Sequence, residues 1–399
     1  MSYKKLGDYI QQVNNRNRDL QVETLLGVSN TKKMIPSIAN TVGTDMSTYK
    51  IIEKRQFAYG TITSRNGDRL SVAISDQYKK ALVSQIYIVF EVIDDNELLP
   101  EYLMMWFSRP EFDRYARFKS HGSTREAFDW EDMCEVELPI PSIEKQREIV
   151  AQYQAVENKI KVNEQICEKL EATAQTLYKQ WFVDFEFPNE NGQPYKSSGG
   201  TMVFNEELEK EIPEGWEVNF ISEYVKLSQG LAINASTQHY IQQTGIPLLR
   251  ITDLINNTKE IFISDKVDRN VIASESDIIV TRTGQVGLVF RKKVGVVYNN
   301  CFKAIPKESL NPEVLYWFLK TSEMFHIMNY LASGSSAQLD LTHKQFYTIK
   351  YLLADKFVQQ DFEKNVNPIG IKINILDNQN EKLTQLQSLL LSRLARLEG

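Results

Sequence analysis

The sequence is written twice. When Pro100 is laid on Pro312, LPEYLMMWFSRPEF falls on NPEVLYWFLKTSEM, and the same shift puts Gly122-Ser123-Thr124 on Gly334-Ser335-Ser336. Each copy opens with Pro–Glu and continues in an amphipathic helical pattern: Leu103, Trp106 and Phe107 in the first, Leu315, Phe318 and Leu319 in the second. One residue of slip further on, ICEKLEATAQTL falls on QNEKLTQLQSLL. A chain that repeats its order of periodicities folds as two like halves, which removes most single-body architectures at once.

The second part of each copy carries a heptad seam. Ile149, Tyr153, Val156, Ile160, Asn163, Cys167, Leu170, Ala174, Leu177 and Trp181 advance by alternating steps of four and three. Phe362, Val366, Ile369, Ile373, Leu376, Asn380, Leu383, Gln387, Leu390 and Leu394 do the same. One such stripe describes any core-facing helix, but two in register with a repeat describe a helix pair packed against itself. Asn163 and Asn380 occupy seam positions one step apart, where a polar residue fixes register at some cost in stability. Pro139 and Pro141, with Ser142 as N-cap, mark the start of the first helix. Pro368 and Gly370 are expected to interrupt the second, so that its regular seam begins at about Ile369.

Ahead of each helix lies a mixed segment with β-like runs such as SQIYIVFEVI, SDIIVTRTG and GLVFRKKVGVVY. The Gly-, Pro-, Asn- and Ser-rich stretch FPNENGQPYKSSGG reads as an extended surface linker. The expected division is a globular domain at 1–141, a long helix at 142–186, a linker at 187–215, a second domain at 216–354 and a second long helix at 355–399. The fold class is α/β (mixed α+β), with 399 residues giving each domain enough chain for its own core.

Charge is segregated along the chain even though the net value is −6. No acid falls between Asp277 and Glu308, a stretch holding Arg282, Arg291, Lys292, Lys293, Lys303 and Lys307. Lys54 to Gly67, with Lys54, Arg55 and Arg65, and Arg114 to Arg125, with Arg114, Arg117, Lys119 and Arg125, are likewise free of acids. Local anionic partners therefore stay open. The 3 cysteines are scattered without CxxC spacing, which argues against a disulfide framework or structural zinc. No apolar run approaches a bilayer span and the N-terminus lacks a signal-peptide core, so a cytoplasmic location is expected.

Marks of catalysis are missing. A base-flipping amino-methyltransferase needs an Asp/Asn-Pro-Pro-aromatic loop, and the chain has no Pro-Pro dipeptide. Thr283-Gly284-Gln285-Val286-Gly287 lies between two β-like runs, as a hairpin turn would, rather than between a strand and a helix. The nuclease-like triplet Glu157-Asn158-Lys159 falls inside a long helix, and the 4 histidines show no metal-ligand spacing. No metal site and no cofactor are expected on this chain.

The wording of LPIPSIEKQREIV, LYKQWFVDFEFPNENGQPYKSSGG, IPEGWEV, SDIIVTRTGQVG and LTQLQSLLLSRL resembles the specificity subunits of type I restriction–modification enzymes over nearly the whole chain. The ending LLLSRLARLEG departs from that family's usual Leu-Leu-Pro-Lys-Leu wording. The resemblance implies two target recognition domains, each reading half of a split, asymmetric sequence in double-stranded DNA. It also implies an antiparallel coiled coil that separates them and docks two modification (methyltransferase) subunits, which recruit two restriction (motor-nuclease) subunits. AdoMet, ATP and Mg²⁺ would serve those partners. Other readings that stay open are a coiled-coil adaptor without nucleic acid and a stand-alone DNA-modifying enzyme.

A DNA reader carries Arg, Lys, Asn, Gln and small hydroxyls on loops. In the first domain the candidates are Arg55, Tyr59, Thr63, Ser64, Arg65, Arg69 and Arg125; in the second they are Arg250, Thr252, Thr281, Arg282, Thr283 and Gln285. The candidate coil and partner interface is Ile149, Val156, Ile160, Asn163, Leu170 and Leu177 with Ile373, Leu376, Asn380, Leu383 and Leu390. HGSTREAF and SGSSAQLD read either as capped turns joining domain to helix or as phosphate-contacting loops, and differ in having Arg125 where the second copy has Ala337. From Ile149 to Trp181 a helix is roughly 50 Å long at about 1.5 Å per residue. That suits half-sites about 34 Å apart on one face of B-DNA.

Overall fold

The computed structural model describes residues 3–37, 43–63, 69–121, 126–333 and 339–396. The chain divides into two compact units, Met1–Asn163 with Gln379–Gly399 and Glu164–Asn378. Each unit therefore owns part of both long helices.

The first unit holds two four-stranded sheets. In one, Ile10–Val13, Tyr87–Val92, Phe57–Gly60 and Val72–Ile74 lie side by side in that order, antiparallel throughout. In the other the order is Met34–Pro36, Leu25–Val28, Lys80–Val83 and Lys50–Glu53, with a parallel pair in the middle. Tyr3–Lys5 pairs with Glu137–Pro139, bringing the start of the domain beside the start of the first long helix. The second unit repeats this strand for strand. Val225–Gln229, Cys301–Pro306, Ile278–Thr281 and Val289–Phe290 form the antiparallel sheet. Phe262–Ile263, Ile246–Leu249, Gly295–Val297 and Ile272–Ala273 form the mixed one, extended at its edge by Ile241–Gln242. Glu217–Phe220 with Lys350–Leu353 closes the domain. The duplication read from helices alone thus extends through the sheets.

The Pro–Glu helices are Pro100–Phe107 and Pro312–Leu319, each with proline in the first turn, where its missing N–H costs nothing. Leu103, Phe107, Leu315, Leu319 and Trp317 are buried, while Phe318 is half-buried. Two buried glutamines fasten these helices to the long ones. Gln146 Oε1 accepts from Leu99 N (2.8 Å), and its amide donates to Glu97 O (2.8 Å) and Pro141 O (2.9 Å). Gln359 makes the equivalent three bonds, to Asn311 N (2.8 Å), Ser309 O (3.1 Å) and Ala354 O (2.8 Å). Each bond satisfies a backbone group that burial would otherwise strand.

The first long helix is Ile143–Phe182 and the second Lys356–Arg393. Every seam position from Ile149 to Trp181 and from Phe362 to Leu394 is buried or half-buried, including Val156, Ile160, Leu170, Leu177, Ile373, Leu376, Leu383 and Leu390. Within the first unit, Ile149, Val150 and Tyr153 share a core cluster with Leu391 and Leu394, and Asn163 Nδ2 donates to Gln379 Oε1 (3.0 Å) and Asn380 Oδ1 (2.8 Å). Numbers rise on one helix as they fall on the other, so the two run antiparallel. The same holds in the second unit, where Phe362 meets Tyr178 and Phe182 with ring centroids 6.0 and 5.0 Å apart.

Two expectations change. The second helix runs unbroken through Pro368, although an interior proline costs about 3 kcal/mol. Wholly buried Phe362 and Val366 lie just before it, and their packing offsets that loss. The linker is also not a bare spacer. It contains the hairpin Met202–Asn205 and Lys210–Pro213, and Phe187 stacks on Tyr195 (4.5 Å) and Trp216 (5.3 Å). Its aromatics have apolar area to bury, which composition in Gly, Pro and Asn conceals.

Candidate nucleic-acid interface

In each domain two distant segments meet on the same rung. Thr63 N donates to Glu126 O (3.0 Å) and Phe128 N to Thr61 O (2.8 Å). In the second domain Gly284 N donates to Leu339 O (3.1 Å) and Leu341 N to Arg282 O (2.8 Å). The end of the antiparallel sheet's third strand is thereby zipped to the segment that follows the second short helix. Thr61 and Thr63 of FAYGTITSRNGDR are brought to Glu126 and Phe128 of HGSTREAF, and Arg282 and Gly284 of TRTGQVG to Leu339 and Leu341 at the end of SGSSAQLD and just beyond it. Ser64, Arg65 and Arg125, with Gly122-Ser123-Thr124 and Gly334-Ser335-Ser336, lie outside the described residues. They immediately follow or precede these bonded rungs in the chain.

The remaining candidates separate into three kinds. Tyr59, Thr63 and Thr281 are buried and are corrected from surface readers to parts of the scaffold. Tyr59 is wholly enclosed, edge-on to Phe90, and burial pushes its phenol pKa well up. Thr63 Oγ1 donates to Ser120 Oγ (3.0 Å), and Thr281 Oγ1 accepts from Leu288 N (2.9 Å), closing the turn. The strands Phe57–Gly60 and Ile278–Thr281 are covered on both faces, so consecutive side chains are buried, which a list of polar residues does not convey.

Arg55, Arg250 and Arg282 are tied to carboxylates. Arg55, itself at φ 72, grips both oxygens of Glu101 at 3.0 Å and also bonds Asp95. Arg250 precedes the helix Ile251–Asn256 and holds Asp253 (2.6 and 3.1 Å) and Glu260 (2.6 Å). The hydrogen bonds that Arg250 donates to Asp253 and then to Glu260 raise its pKa. Burial pushes the Asp253 carboxyl up, but the bonds from Arg250 and Thr258 outweigh it and leave it below its usual value. Arg282 takes Asp340 bidentately (2.8 and 2.8 Å) and Gln229 Oε1 (3.0 Å), while Thr283 Oγ1 adds a bond to Asp340 (2.8 Å). Such forks position a loop rather than search for phosphate. The acid-free stretches of sequence are accordingly neutralised in space: Arg291 meets Glu313, and Lys303 lies 3.7 Å from Asp277.

Arg69, Thr252 and Gln285 are exposed. Gln285 stands on a turn between Gly284 (φ 83) and Gly287 (φ 86). Glycine is required at both ends, and at Gly287 a Cβ would also press on Asn329 Nδ2 and Phe325 at 3.2 Å. Arg69 belongs to a cleft of about 710 Å³ in the first unit, lined also by Lys32, Arg114, Arg117, Phe118 and Tyr153. Lys32, Arg114, Arg117 and Phe118 were not among the sequence candidates. The acid-free run at 114–125 was the available signal for the two arginines, but nothing local marks Lys32. Burial lowers the Lys32 pKa against the opposing pull of Asp113, 2.6 Å away. Among the described residues no three His, Cys, Asp or Glu side chains come together as a metal site, and no helix is long and apolar enough to cross a membrane.

Known proteins resemble this chain in sequence and in fold. The family described as the type I restriction modification DNA specificity domain matches residues 15–172 and again 213–385. The HindI specificity subunit of a type I restriction enzyme from Haemophilus influenzae is 26% identical over 426 residues, covering 92% of this chain and 91% of the relative. The MjaIX specificity subunit from Methanocaldococcus jannaschii is 33% identical over 205 residues, 49% of this chain and 44% of that one. The crystal structure of the S subunit of a type I restriction–modification system from M. genitalium aligns over 99% of this chain and 96% of its own with a TM-score of 0.54 at 14% identity, a likeness of fold. With the family domain present twice across most of the sequence and once in each half of the repeat, this chain belongs to the specificity subunits of type I restriction–modification enzymes, the non-catalytic component that carries DNA target recognition.

Proposed function

We propose that each recognition domain reads one half of a bipartite, asymmetric DNA target, and that the helix pair sets the unread spacer between the halves. The observation carrying this reading is the rung repeated in both domains, which ties Thr61 and Thr63 to Phe128 and Glu126, and Arg282 and Gly284 to Leu341 and Leu339, just past the end of the same strand of each antiparallel sheet. Small hydroxyls, backbone amides and exposed polar side chains such as Arg69, Thr252 and Gln285 are what groove and phosphate contacts use. The long helices dock two modification subunits, which bring two restriction subunits. In support, Val162, Leu386 and Leu389 in the first unit and Ile371 and Ile375 in the second expose 43–59% of their apolar surface. AdoMet, ATP and Mg²⁺ serve the partners, and the assembly works in the cytoplasm on double-stranded DNA.

Single-molecule methylation sequencing of a host carrying the chain with its partners tests this. The expected outcome is a methylated motif in two short specified halves around a fixed unspecified gap; one contiguous motif would overturn it. Gel shifts at two salt concentrations should show binding that weakens steeply with salt, as phosphate contacts demand.

A further inference from the structure

Phe118 is 82% exposed and Tyr330 79%, more than any other aromatic side chain among the described residues. They stand at the same place in the two repeats, since the shift that lays Pro100 on Pro312 also lays Phe118 on Tyr330. Their helices are Pro110–Lys119 and Ser322–Ala332. Each turns an equivalent face to its core, Phe112 and Ala116 in the first and Met324 and Met328 in the second. Two residues past Ala116 or Met328 is roughly 200° around the helix, so both rings point away from the core. Leaving a ring in water forgoes the gain of burying it, though a single exposed ring needs no explanation. Recurrence at one register position in two copies of modest identity does need one.

The neighbours repeat as well. Four residues earlier, on the same helix face, stand Arg114 and His326, both exposed. The residue just before each ring ties its helix to the candidate interface. Arg117 pairs with Glu126 (2.8 Å), the residue whose carbonyl takes the Thr63 rung. Asn329 Nδ2 donates to Val286 O (3.1 Å), beside Gln285. The cleft around Phe118 is lined by Lys32, Arg69, Arg114 and Arg117 against one carboxylate, Asp113. Lys32 is spent on Asp113, while Arg114 and Arg117 make only surface pairs with Glu111 and Glu126. Such surface pairs are weak, so the net positive lining suits an anionic occupant.

We propose that Phe118 and Tyr330 are equivalent DNA-stacking residues, each setting its ring against the base stack of its own half-site. This rests on the DNA-reading function proposed above. A ring at a base step makes π contact with any base and unstacks that step, which eases extrusion of a neighbouring base by a modifying partner.

The test uses the full chain assembled with its modification partner and a duplex bearing the motif found by methylation sequencing. 2-Aminopurine is placed at successive positions of each half. Wild type should brighten the probe at one step per half. F118A should abolish that signal in one half and weaken binding about tenfold, with Y330A doing the same in the other half. F118Y and Y330F should retain both signal and affinity. Variants that bind and brighten like wild type would overturn the inference while leaving the DNA-reading function intact. Loss of partner co-purification with unchanged probe signals would also overturn it, by assigning the rings to a protein contact. Absence of motif-specific binding by wild type itself would instead refute the parent reading.

Discussion

Arg282 is held by Asp340 and Gln229 at the base of the turn that presents Gln285, so its charge acts on the turn's shape. Burial pushes the Asp340 carboxyl up, but the hydrogen bonds from Thr283 and Arg282 outweigh it and hold it below the usual value. A depressed carboxylate stabilises the fold above its unfolded pKa, near 3.8, and that contribution disappears as the pH falls through the lower folded value. Asp340→Asn is therefore expected to cost about 1 kcal/mol at neutral pH, a modest figure because the pair is partly exposed. The difference from wild type should close below about pH 4. Urea unfolding across a pH series reads this directly, and a gap independent of pH would show that the ion pair is not its source.

Among elements, the second long helix shows how one glycine accommodates a neighbour from the sheet. A Cβ at Gly370 would overlap Arg291 Nη2, and Arg291 cannot move freely. Its guanidinium lies 4.0 Å from the Tyr316 ring centroid and is paired with Glu313, with only 11% of the side chain exposed. Glycine in a helix interior costs about 1 kcal/mol relative to alanine. Gly370→Ala alone should nevertheless lower the melting temperature, because the displaced arginine loses a buried pair. In an Arg291→Ala background the same change should raise it. A thermal double-mutant cycle checks the reversal of sign; no reversal would mean that the close approach is not what keeps glycine there. The buried glutamines Gln146 and Gln359 belong to this scale too. Each sits at its place in the repeat, but two of its three backbone partners come from segments tens of residues away. The repeat makes such a residue noticeable without saying what it bonds.

At the scale of the whole molecule, the helix pair is proposed to set the spacer, and the length of its seam is the quantity to vary. One heptad added to each long helix at the level of Asn163 and Asn380 lengthens the pair by roughly 10 Å. That corresponds to about three base pairs of B-DNA. Methylation sequencing should then return a spacer longer by about that amount with both half-sites unchanged. An altered half-site with the old spacer would sink the ruler idea. Segregated charge was the least reliable whole-chain signal. The run from Ile278 to Lys307 contains no acid, yet Arg282, Arg291 and Lys303 find Asp340, Glu313 and Asp277 from outside it or at its edge.

The sequence by itself determined the duplication, the Pro–Glu helices and the two seams down to the polar step at Asn163 and Asn380. These are periodic patterns, and a period is a local property that survives without knowledge of the partner. Only the tertiary structure decided which polar residues remain available to a ligand. Tyr59 and Thr281 are enclosed because their strands are covered on both faces, Arg55 and Arg282 are taken by carboxylates 46 and 58 positions away, and Phe118 and Tyr330 turn outward because Ala116 and Met328 face the core. Availability depends on what else arrives at the same point in space, and in a chain folded from distant segments that is settled by packing rather than by neighbours in sequence.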